Sequence, residues 1–174
     1  MTNNQEEPSS YDTIKYKQYM QECQDNQSLF KAIFFGFFAS LLAASLWALV
    51  VVITNYQIGY MAIVVGFIVG ITVKYMGKGI DTIYGIIGAL LAVFSCILGD
   101  FLSTAYLASV SMKIDSLTFI KHLAENGTIF TFMKDVFQPI DLLFYGIALY
   151  EGYTFSFVNL ELPEEAEEDS QEKE

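Results

Sequence analysis

Two carboxylates of this 174-residue chain, Asp100 and Glu151, fall inside long apolar runs. Ionisable groups in such surroundings mark proton relays, transport paths or buried structural hydrogen bonds. Asp100 follows Gly99 toward the far end of its run, where a carboxylate hydrogen-bonded to a neighbouring helix is expected rather than a proton carrier. Glu151 stands well inside Leu142–Val158, at a depth where an ionised carboxylate costs at least ~2.5 kcal/mol. Either it faces a bundle interior, or that segment does not cross straight. Lys31, Lys74, Asp81 and Asp141 fall at the ends of apolar runs, where they are expected to reach water.

Other chemistries are absent at the level of residue types. Ile97-Leu98-Gly99-Asp100 has the Gly-Asp of the Gly-x-Gly-Asp motif of membrane aspartyl proteases, but its first position is Ile, and no Tyr-Asp partner lies in another apolar run. The single histidine, His122, sits beside Lys121 on an amphipathic stretch without a second His or Cys, which suits a solvated helix face and no metal. Cys23 and Cys96 cannot build a disulfide framework, a redox pair or a zinc site, and are expected as free thiols. No glycine-rich phosphate loop follows a strand. All nine basic residues are Lys and the net charge is −11, so nucleic-acid binding is not expected. The chain is therefore expected to be no enzyme and to carry no cofactor and no metal.

The elements that must hold these residues are membrane helices. Hydrophobic residues make up 53% of the chain and aromatic residues 16%, too apolar for an ordinary soluble domain of this length. The pattern predicts an all-α integral membrane bundle of four transmembrane helices, with spans at about 30–54, 58–75, 80–107 and 141–158. An amphipathic loop over 109–139 is expected to form two short helices on the membrane surface, the first stopped at Gly127. Asp81 and Asp100, separated by ~28 Å of helix, reach opposite ends of the third span. Residues 1–28 read as a polar segment, partly helical from Tyr11, and 161–174 as a disordered acidic tail.

Small residues recur every fourth position: Gly36, Ser40, Ala44 and Ala48 in the first span, Ala62, Gly66 and Gly70 in the second, and Gly88, Ala92 and Cys96 in the third. Residues four apart share a helix face, and in lipid such faces let backbones approach. They serve the chain's own bundle or contact with a second subunit. Trp47, central in the first span, is expected to pack rather than to anchor at an interface. With four spans both tails share a side with the Gly77–Gly79 turn. That side holds six Lys, against Lys113, Lys121 and Lys134 on the other, which places the tails in the cytoplasm.

The turn Thr54-Asn55-Tyr56-Gln57-Ile58-Gly59-Tyr60-Met61-Ala62, with Gly66, Gly70, Gly77-Lys78-Gly79, Gly85 and Gly88, resembles a family of small bacterial multi-pass membrane proteins. Their first two spans are joined by a Gly-Tyr-Glu-Ile-Gly-Trp-x-Ala turn, and Asp141-Leu142-Leu143-Phe144-Tyr145 with Ala148 and Tyr153 is similar to their last span. Asn55, Gln57 and Tyr60 depart from that pattern, and the zinc ribbon that often precedes the spans is missing. The resemblance implies a multi-pass protein of the bacterial inner membrane and adds almost nothing about activity, since the family has no settled function. Two functions remain open from the residues. One is a membrane scaffold or accessory subunit, whose partners are the bilayer and other membrane proteins or a second copy. The other is a small oligomeric transporter or channel using Glu151 and Asp100.

Overall fold

A computed structural model describes residues 25–56 and 58–157, together with Gln18 and Gln21. Most of the expected N-terminal helix, Cys23, Gln57 and the acidic tail lie outside the described residues. Six helices follow one another: α1 Leu29–Thr54, α2 Tyr60–Gly77, α3 Thr82–Met112, α4 Ser116–Glu125, α5 Ile129–Val136 and α6 Asp141–Thr154, with no strand among the described residues. Three of them, α1, α2 and α3, are long and apolar enough to cross a membrane.

These helices are sorted by side-chain size rather than by polarity. On α1 the buried positions are Ala32, Gly36, Ala39, Ser40, Ala43, Ala44, Trp47 and Val51, while Phe30, Phe34, Phe38, Leu42 and Ile53 point outward. In lipid a large apolar side chain gains nothing by leaving the hydrocarbon, so close packing selects small residues for the interior.

Each long helix ends on a residue in the left-handed region, Asn55 (φ 55°), Lys78 (φ 50°) and Lys113 (φ 57°). Asn55 N–H returns to the Val51 carbonyl, and the chain reverses into α2 within a few residues. At the other end of the bundle Ser28 N–H donates to the Gly77 carbonyl at 2.8 Å, fastening the start of α1 to the end of α2. We call this the proximal end and the Asn55–Gly59 turn the distal end.

The helix α3 contains 31 residues, against an expected run ending near 107. At ~46 Å it is longer than a ~30 Å hydrocarbon core, and its last turns carry Ser109 and Ser111. There α4 begins on Asp115, whose carboxylate accepts from Leu117 N–H and Thr118 N–H, and Ser109 and Ser116 share a hydrogen bond. Gly127 (φ 66°) follows α4, and α5 turns back along α3, with Phe132 against Phe101 and Phe119.

The sequence predicts a fourth span over 141–158, but α6 has 14 residues, ~21 Å of helix, and is not among the helices long enough to cross. It runs from the distal to the proximal end in the groove between α2 and α3. Just past its end residues 155–157 pack against glycines: Ser156 is fully buried over Gly88, and Phe157 lies at Gly85.

Candidate functional site

Where α6 starts, polar side chains converge. Asp100 is 4% exposed on α3, one turn beyond the buried Cys96. Trp47 Nε1 of α1 donates to its Oδ1 at 2.8 Å, and the Tyr145 hydroxyl of α6 donates to its Oδ2 at 2.8 Å. One carboxylate thus ties three helices. The small faces explain the geometry: Gly99, beside Asp100, leaves room for Trp47, since a Cβ there would lie 2.7 Å from the indole ring.

Asp141 forms the second part of the site. The expectation that it reaches water is overturned, because it is 2% exposed. The cause is local: Asp141 N–H donates to the Gln138 carbonyl and Gln138 N–H donates to Asp141 Oδ2 at 2.8 Å, a tight turn that tucks the carboxylate under α5. Its other oxygen, Oδ1, is buried without a hydrogen-bond partner. Asp100, Tyr145 and Asp141 line a partly open cavity of about 230 Å³, together with Ile97 and Phe101 of α3 and with Phe132, Met133, Val136 and Phe137. Among the described residues no group of three or more His, Cys, Asp and Glu gathers as a metal site would need.

The two carboxylates singled out in the sequence do not meet. Glu151 lies about 1.7 helical turns from Tyr145, with its Cβ against Gly66 of α2, where a Cβ would approach to 2.6 Å. It is half-buried, and its carboxylate has no hydrogen bond or ion pair among the described residues. Gly66 stands ~9 Å of helix rise inside the distal end of α2, so Glu151 is within the membrane-crossing length of the bundle.

The small-residue faces occupy distinct contacts. Gly36 faces Leu91 and Val73, the Ser95 hydroxyl donates to the Ser40 carbonyl at 2.8 Å, Ala44 is fully buried, and Ala48 is half-buried. Gly70 meets Phe155, while Gly88 and Ala92 meet Gly152. Sequence reasoning missed the face that α6 presents to them. Asp141, Tyr145, Ala148, Gly152 and Ser156 lie at spacings of four, three, four and four, a helical stripe of the same kind as those recognised in the other spans.

No family model, curated protein or solved structure matches the chain.

Proposed function

We propose that this chain is a non-catalytic accessory subunit of the bacterial inner membrane that docks a partner through its α2–α6 face. Glu151 is the observation that carries this reading. A carboxylate within the apolar length of a bundle, packed on a glycine and without a donor among the described residues, is stabilised by a cation brought from outside. A second copy does not supply one, because no Lys lies between Ala32 and Val73 or between Ile80 and Met112. The matching occupant is a helix of another membrane protein with a Lys or Arg in mid-span, laid along the outer side of α2 and α6 at Glu151.

The bundle interior favours this role over a conduit. Val65, Val69, Ala92, Cys96 and Ala148 are each fully buried and fill the centre between α1, α2, α3 and α6 without a polar path. In this reading α6 with residues 155–157 makes a shortened fourth crossing, which returns the chain to the proximal side. The excess of Lys on that side sets the tails in the cytoplasm.

Purification after gentle solubilisation tests the proposal. A partner recovered in fixed ratio, carrying a mid-span basic residue and lost on Glu151→Gln, is the expected result. Substrate flux through the chain alone in liposomes, abolished by the same substitution, would replace the accessory role with transport.

A further inference from the structure

We propose that the cavity between α3, α5 and α6 binds a small organic ammonium ion, held by Asp141 and packed against aromatic rings. This site is separate from the Glu151 face and does not rest on the docking reading.

The need for a donor is built into the chain. Asp141 is almost wholly buried and half satisfied: Gln138 N–H serves Oδ2, and Oδ1 has no partner. A buried carboxylate oxygen left without a donor is destabilising, and a ligand N–H removes that deficit. The cavity has no base of its own, for none of its lining residues is Lys or His. The nearest basic residue along the roof, Lys134, is exposed and sits over the Phe130 ring, 4.6 Å from its centroid.

The walls select the kind of cation. Hard metal ions require six or more oxygen ligands. Here one carboxylate oxygen lacks a partner, Asp100 is engaged by Trp47 and Tyr145, and the remaining lining is mostly aromatic and aliphatic. Phe101, Phe132, Phe137 and Tyr145 offer ring surfaces to a cation and to its carbon skeleton. Size sets the scale. A cavity of about 150 Å³ accommodates benzene, so about 230 Å³ suits a primary amine a little larger than one ring.

Titration calorimetry on the purified full chain in detergent tests this with phenethylammonium, using 2-phenylethanol as the neutral match and phenyltrimethylammonium as the cation without N–H. The site predicts saturable one-to-one binding of phenethylammonium, with both comparators weaker by about tenfold or more. Asp141→Asn should weaken phenethylammonium by a similar factor. Met133→Trp, which fills the cavity and leaves both carboxylates in place, should abolish binding, and it decides the matter if the Asn variant does not fold. Equal binding of 2-phenylethanol would reduce the cavity to an apolar hollow. Full displacement by sodium or potassium would make it an inorganic site. Either result, an absence of saturable heat, or binding unchanged in both variants overturns the proposal.

Discussion

The proximal and distal ends of the bundle are held by different physics. At the proximal end the α3 and α6 backbones touch: a Cβ on Gly152 would lie 2.7 Å from the Gly88 carbonyl oxygen and 2.7 Å from the Ala92 Cβ. At the distal end the same two helices are bridged through side chains, Asp100 to Tyr145, with Trp47 joining from α1 and a cavity left beside them. Dispersion between small residues needs no donor and leaves no space, so the proximal end is closed and chemically silent. Polar bridges hold helices at a greater separation and leave oxygens to satisfy. The distal end is therefore where a small ligand has room.

Substituting the closest contact should separate the two ends most clearly. Gly152→Leu forces α6 away from Gly88 and should cost upwards of ~3 kcal/mol, seen as loss of monodisperse protein in detergent. Gly146→Leu, on the same helix but with nothing within 4 Å of its Cβ position, should be close to neutral. Equal damage from both would mean that α6 is not seated by its small stripe.

A smaller effect is expected at the distal end. Asp100→Ala leaves the indole N–H of Trp47 and the hydroxyl of Tyr145 without their acceptor, at a cost of about 2 kcal/mol. Trp47 is the single tryptophan, so its emission reports the change directly. A variant with unaltered emission and melting temperature would remove Asp100 as the tie between three helices.

Smallest of all should be Phe67→Leu, at about 0.5–1 kcal/mol, since Phe67 is 45% exposed and gives up only an edge contact with Phe155. Its neighbour Gly66→Leu collides with the Glu151 Cβ and the Ala148 carbonyl, and should disturb assembly far more. Thermal melts of the two variants side by side check the order.

Much of the proximal end was legible in the sequence, because fourfold spacing of Gly, Ala and Ser is a direct statement about which helix face is buried. The stripe on α6 mixes spacings of four and three, and Asp141, which heads it, read as a span end. Helix length was less legible. The run from Leu142 is apolar enough to suggest a crossing, whereas α6 ends at Thr154 and Ser156 and Phe157 then pack onto Gly88 and Gly85, a contact between segments some seventy residues apart. The cavity was not legible, since the burial of Asp141 comes from a turn with Gln138 and from the roof that α5 lays over it.

The central functional claim is that Glu151 waits for a basic partner helix on the α2–α6 face. Energy transfer in lipid vesicles tests it most directly, between the labelled full chain and a Leu-Ala transmembrane peptide bearing one mid-span Lys, with an otherwise identical peptide lacking that Lys for comparison. The account predicts association with the Lys peptide alone, lost in Glu151→Gln. Equal transfer with both peptides, or association with the Lys peptide undiminished in Glu151→Gln, would contradict it.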